Sequence, residues 1–293
     1  MITRISQSFI KTMREYIAKE ECGNIVAYQY LEGKLLDRKS KEMAKGTYFE
    51  FLLSKALPKG GQIPQPEYMA TPLKKKKPED LNTDDMTADY RVVSINAQRI
   101  KKMLTEDLGL VFVGIGKKLT KGRFEGTLDL ICECTKEINF DSGIVWKVGD
   151  KIVIDVKYSG LLFDRWNKLG WEWSNIQKEY HGTQAKQYHY VSGLPFYFLV
   201  VSSTNKEEDS EDGEGKVVAP TQAKLFSVPV DEHMIEVHLN EGNALYDRLK
   251  QESEVGLVPR PDYVKCQKCP LKEDCKDKHT FPQVEEVDLT III

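Results

Sequence analysis

The chain has 293 residues, enough to bury a sizeable core, and its 41% apolar and 30% charged residues are ordinary for a globular protein. A formal net charge of −3 gives no general attraction for polyanions, so any nucleic-acid contact needs a local basic surface. No apolar run reaches the roughly eighteen residues of a membrane span, and the charged N-terminal stretch lacks an apolar signal core, so a cytoplasmic setting is expected.

Residues 6–21 predict a helix, with Ser6 or Ser8 as N-cap and Phe9, Met13, Tyr16 and Ile17 along one face. A second helix is expected over 41–57, carrying Met43, Phe49, Leu52, Leu53 and Leu57 and ended by Pro58. Residues 58–90 hold several prolines, the run Lys74 to Lys77 and then acids, the pattern of a long flexible insertion. A short helix is expected over 94–107. Strands are expected at 110–118, 123–134 and 151–157, with a turn or hairpin within 141–150. Helical spacing returns over 172–192, and the apolar run 195–202 reads as a buried strand. The acidic stretch 205–216 reads as a second flexible, solvated insertion. A strand at 222–229 and a helix at 231–253 lead to a cysteine cluster, and the acidic-then-apolar tail reads as an edge strand. No internal repeat is present. This order predicts an α/β fold with a mixed central sheet flanked by helices, in a single domain over 1–293.

Chemistry concentrates in two of these strands. Residues two apart on a strand share a face, so Asp155 and Lys157 project together. A neighbouring strand can bring Asp129 beside them. Two carboxylates can hold a divalent cation and an adjacent lysine can orient a water, a set suited to phosphodiester hydrolysis. Cys132 and Cys134 lie on the Asp129 strand but alternate away from Asp129, which points to buried packing. Without a secretory signal, the six cysteines, Cys22, Cys132, Cys134, Cys266, Cys269 and Cys275, read better as containing a metal site than as a disulfide framework.

Gly126-Thr127-Leu128-Asp129, followed by Ile154-Asp155-Val156-Lys157, resembles the PD-(D/E)XK nuclease superfamily. Gln184 and Tyr188 on the helix after the lysine strand match the Gln-x-x-x-Tyr of its RecB-like branch, and one helical turn apart they share a face. Gly46 to Glu50 resembles the family's first-helix motif, with Glu50 where many RecB-like members have histidine. That substitution gives an all-oxygen ligand set suited to Mg2+ or Mn2+. Cys266-x2-Cys269-x5-Cys275 with the distant Cys22 is similar to the four-cysteine [4Fe–4S] site of CRISPR-adaptation exonucleases and AddB-type nuclease domains. The resemblance implies a restriction-endonuclease-like core, with residues 1–40 and 254–279 jointly forming a metal-stapled helical region.

The resemblance also implies roles. Glu50, Asp129, Asp155 and the Val156 carbonyl hold the divalent cation, Lys157 positions the attacking water, and Gln184 and Tyr188 orient the phosphate backbone. Two alternatives stand beside it. Gln184 and Tyr188 can instead serve the helix–sheet interface, and Cys266, Cys269, Cys275 and His279 form a local set that can bind zinc. Trp166, Trp171, Trp173, Arg165 and Lys74 to Lys77 are candidates for DNA contact, while His181 and His189 flank the Gln184 motif. The function expected is a metal-dependent DNA exonuclease acting on single-stranded ends, in recombination, repair or phage and defence processing within a bacterial or phage-infected cell. The rivals are a structure-selective endonuclease and a catalytically inactive DNA-binding adaptor in a recombination or replication complex.

Overall fold

The strongest apolar run, Phe196–Ser202, is a strand buried along its whole length, and the sheet is built around it. A computed structural model of the protein describes residues 4–34, 40–54, 86–160, 162, 175–209 and 216–277. In chain order the sheet strands are β1 (Leu110–Lys121), β2 (Phe124–Cys134), β5 (Lys151–Ser159), β6 (Phe196–Ser202) and β9 (Ala223–Ser227), arranged β1-β2-β5-β6-β9. Only β5 and β6 run parallel; the other neighbours are antiparallel, so the sheet is mixed. A small hairpin of β3 (Ile138–Asn139) and β4 (Val145–Trp146) links β2 to β5, where a turn or hairpin is expected.

Helices cover both faces. Helix α3 (Lys41–Ser54) and helix α4 (Ala88–Lys102) place Tyr48, Phe49, Leu53, Tyr90, Val93, Ala97 and Ile100 on one face, against Leu130, Ile152, Ile154, Val156 and Leu199. Helix α5 (Asn175–Ser192) places Ala185 and Tyr188 on the other, against Leu128, Ile131, Val153, Phe196 and Phe198. Cys132 and Cys134 are buried in the first of these cores, as their alternation predicts. Burial pushes the Cys132 thiol up to about 12, so it stays protonated and packs as a small apolar group.

Three sequence expectations change. The helix expected from residue 94 starts at Ala88, inside the predicted insertion, because Tyr90, Val93, Ala97 and Ile100 bury one continuous stripe. Asp89 in its first turn also pairs with Lys41 and Lys45 on α3. Met103–Asp107 then continues as a π-helical turn. The acidic stretch 205–216 is not wholly solvated: β7 (Glu207–Asp209) and β8 (Lys216–Val218) pair at its ends. Arg91 grips the Glu207 carboxylate at 2.6 and 3.0 Å, and Arg99 donates to the carbonyls of Val218 and Ala219. Local charge density misleads there, because the compensating cations come from a helix more than a hundred residues upstream. Lastly, Ile17, expected on the same face as Phe9, Met13 and Tyr16, is 37% exposed while those three are buried.

By its internal contacts the chain divides into two compact units. The sheet unit comprises Arg4–Gln7 and Lys39–Gly242; the other draws on Ser8–Arg38 and Asn243–Ile293. Helices α1 (Gln7–Ile17) and α6 (Glu232–Val255) span the points of division. The second unit also contains α2 (Gly23–Val26), a π-helical turn (Ala27–Leu31) and α7 (Tyr263–Gln267). Among the described residues no helix is long and apolar enough to cross a membrane. Lys74 to Lys77, Arg165, Trp166, Trp171, Trp173, His279 and the C-terminal tail lie outside the described residues.

Candidate functional site

The sheet changes phase at Asp129. Leu128 packs beneath α5, whereas Leu130, two residues on, packs in the core under α3 and α4. Simple alternation would put both on one face. The partner strand changes with it: Leu119 packs on the α5 side and Ile115 on the other. Between them Gly116 has φ +54°, a left-handed conformation that a side chain resists. The pairing of β2 with β5 ends at Leu130 and Ile154, so Asp129 and Asp155 stand just past the last paired residues.

Here Asp129 turns its carboxylate onto the backbone: Oδ2 accepts from the Val156 N–H at 3.0 Å. Asp155 is buried, 1% exposed. Its Oδ1 accepts from Gln184 Nε2 at 2.6 Å, and the Lys157 ammonium lies 2.5 Å from Oδ2. Among the described residues the Oδ2–Lys157 contact is an ion pair. Burial pushes the Asp155 carboxyl up to about 7; Lys157 opposes the shift and Asp129 adds to it. The Lys157 side chain keeps 27% of its surface exposed and its ammonium stands 5.7 Å from the Phe198 ring. The structure thus gathers Asp129, Asp155, Lys157 and Gln184 into one polar cluster on the α5 face of the sheet.

The other expected residues fall differently. Tyr188 is 3% exposed and its ring lies over Gly126 and edge-on to Phe196, inside the helix–sheet interface. A Cβ at Gly126 would come within 2.8 Å of that ring. The glycine of the Gly-x-x-Asp segment therefore makes room for the tyrosine of the helix. Gly126→Ala is expected to cost about 1–3 kcal/mol of stability through overpacking, read as a shift in urea midpoint. A midpoint within error of wild type would refute this packing account. Glu50 is half-buried on α3, next to Phe49, whose ring stacks on Tyr158 at 4.7 Å. Among the described residues no three His, Cys, Asp or Glu side chains stand close enough together to hold a metal ion, so Glu50 does not close on the aspartate pair. His181 stacks edge-on to Phe198, and His189 Nδ1 lies 2.8 Å from the Leu194 carbonyl.

Sequence reasoning missed Gln187. It is fully buried, donates to the carbonyls of Ile5 and Glu125, and accepts from His238 Nε2 at 2.5 Å. It thereby fixes α5 to the Ile5–Phe124 bridge and to α6. The available signal was a second amide three residues after Gln184 on a helix face otherwise filled with buried residues.

The donor types, carboxylate oxygens at the sheet and thiols in the other unit, are those the resemblance implies, while neither set is closed into a three-ligand group among the described residues. At the sheet, two carboxylates meet beside the carbonyl-bearing Val156 backbone. Gln184 Oε1 is buried with no hydrogen-bond partner among the described residues, an acceptor waiting for a water or ligand donor. In the other unit, Cys22, Cys266, Cys269 and Cys275 all line one cavity of about 400 Å3. Backbone N–H groups of Arg260 and Leu271 point at Cys22 Sγ and Cys269 Sγ, at 3.3 and 3.4 Å, and Asn24 Nδ2 lies 3.3 Å from Cys275 Sγ. Burial and the neighbouring thiols raise the Cys269 pKa, an unfavourable setting for a free thiolate that a bound cation would reverse. The surrounding chain is closed by Arg260, which donates to the carbonyls of Tyr16 and Glu21 and stacks over the Tyr16 ring. Gly23 completes the closure: its N–H reaches the Val258 carbonyl, and any Cβ there would meet that oxygen at 2.4 Å.

No protein-family model matches the chain, and no curated protein matches it. Its fold is similar to that of a crystallised Eubacterium rectale protein provisionally named an exonuclease. That alignment covers 97% of this chain and 91% of the other, with a TM-score of 0.54 and 14% identity, a likeness of fold. LHK-Exo, solved in complex with dAMP, aligns over 90% of this chain and 93% of its own at 15% identity, with a TM-score of 0.40.

Proposed function

We propose that the chain is a divalent-metal-dependent DNA exonuclease of the RecB-like type. The observation that carries this reading is the meeting of Asp129, Asp155, Lys157 and Gln184 just past the paired segment of β2 and β5. Asp129, Asp155 and the Val156 carbonyl would hold Mg2+ or Mn2+, without Glu50, which lies on α3 and completes no three-acid group with them. When bound there, such a cation would supply Lewis-acid polarisation of the scissile phosphate and a more acidic water. Lys157 holds the attacking water and offsets negative charge gathering on the phosphoryl oxygens. Gln184 Nε2 fixes Asp155 through Oδ1, leaving Gln184 Oε1 to accept from water or substrate. Tyr188 acts as a positioning residue, setting the depth of α5 over Gly126. In the step itself the water oxygen forms the new P–O bond, and the ester oxygen leaves and takes up a proton.

Cys22, Cys266, Cys269 and Cys275 are proposed to hold a [4Fe–4S] cluster that staples the two chain ends. Support comes from their common cavity and from the N–H groups aimed at sulfur. The zinc alternative needs His279, which lies outside the described residues.

The test is incubation of purified protein with end-labelled single- and double-stranded DNA, and with circular DNA, in Mn2+. Nucleotide release from ends, lost by more than about a hundredfold in Lys157→Ala, is expected. Cutting of circles would replace the exonuclease with a structure-selective endonuclease. Binding without any cutting would leave a DNA-binding adaptor.

A further inference from the structure

We infer that the outer end of the β1–β2 hairpin is a phosphate-binding track that delivers a DNA strand to the aspartate pair. The inference rests on the nuclease reading and supplies a contact surface which that reading leaves unassigned. The chain as a whole is acidic, yet exposed Lys117, Lys118, Lys121 and Arg123 follow one another within seven residues of this hairpin.

The phase change at Gly116 and Asp129 decides where they point. Lys117 pairs across the strands with Leu128, Leu119 with Gly126, and Lys121 with Phe124. Residues directly opposite in an antiparallel pair project from the same face. Leu128 and Leu119 pack on the α5 side, and Gly126 lies beneath Tyr188 of α5. Lys117 and Lys121 therefore share the face of Gln184 and Lys157. Without the kink, Lys117 would share a face with Ile115, in the core under α3 and α4. Lys121 is held there: its ammonium stands 4.6 Å from the Tyr190 ring of α5. Lys118 is on the opposite face and is taken by Glu125 at 2.7 Å. Lys117 pairs with Leu128, the residue before Asp129, so it stands one strand from Asp129 and two strands from Asp155. Lys121 is about 13 Å farther along the hairpin. The two cations thus form a short line that ends at the carboxylates. A phosphodiester backbone fits this line, since it needs charge at intervals and no base-edge readout.

The experiment uses the full chain, a fluorescent single-stranded oligonucleotide and Ca2+ in place of Mg2+, with affinity measured across a salt series. Lys117→Ala/Lys121→Ala is expected to weaken binding about tenfold or more and to flatten the log–log salt slope by about 1.4, two phosphate contacts at roughly 0.7 each. Lys102→Ala, a substitution on α4 across the sheet, should leave affinity and slope unchanged. In the cleavage assay the double variant should raise KM and keep kcat at saturating DNA. Equal affinity and slope in wild type and double variant would overturn the track while leaving the nuclease reading intact. A wild-type protein that binds no DNA would overturn both.

Discussion

Asp155→Asn is expected to reduce DNA cleavage by at least about a thousandfold while leaving the protein folded, because it removes charge where the cation and the developing phosphoryl charge are met. The same substitution should alter how stability depends on pH. The Asp155 carboxyl is raised from 3.8 to about 7, chiefly by burial. Between those values the folded chain holds a proton that the unfolded chain has released. Stability contributed by this group is therefore fully present below about pH 4 and falls as pH rises toward 7, by about 1.4 kcal/mol per pH unit. Asp155→Asn has no such proton, so its urea midpoint should fall less than that of wild type between pH 5 and pH 8. Mn2+ should restore wild-type stability at pH 8 by favouring the ionised carboxylate and should do little for the variant. A variant that keeps a tenth of wild-type cleavage, or that shows the wild-type pH slope, would remove Asp155 from the centre of the site.

The strands that carry this site were legible because their signal is local. Ile152, Ile154 and Val156 on β5 and the whole of Phe196–Ser202 are apolar runs that only burial satisfies. The pairing of Asp155 with Lys157 followed from two-residue alternation, which holds on β5. It fails on β2 and β1, because the kink at Gly116 and Asp129 comes from two strands meeting and neither shows it alone. The packing of Tyr188 was open for the same reason. Gly126 and Tyr188 are 62 residues apart, and the space one leaves for the other exists only once α5 lies on the sheet. The β7–β8 hairpin shows the limit most sharply. Its sequence is dominated by acids, and what orders its ends is Arg91, Arg99 and the buried Asn96, whose Oδ1 accepts from Thr221 and Asn205. Glu50 marks the opposite case: a motif position readable in sequence, placed half-buried on α3 without completing a three-acid group.

Protein purified without oxygen is expected to be brown, with iron and sulfide bound to the Cys22, Cys266, Cys269 and Cys275 set, and Cys22→Ala should lose the colour and most of the iron. Two of these cysteines, Cys22 and Cys269, accept backbone N–H groups, and such donors favour sulfur carrying negative charge. The protein part of the closure is polar and small, with Arg260 on two carbonyls and Gly23 against Val258. Metal–thiolate bonds between Cys22 and the C-terminal three would add a cross-link spanning more than 240 residues, so their loss should fall on the whole unit. Apoprotein should therefore melt lower than holoprotein, and its newly protease-sensitive segments should lie in 8–34 and 243–277 rather than in the sheet. Arg260→Ala should cost the holoprotein a few kcal/mol at most, since the cross-link persists, and cost the apoprotein a larger share of its remaining stability. One zinc per chain, retained in Cys22→Ala and lost in His279→Ala, would replace the iron–sulfur site with the local three-cysteine, one-histidine set. Protein that binds neither metal and melts identically with and without chelator would show that hydrogen bonding alone closes this unit.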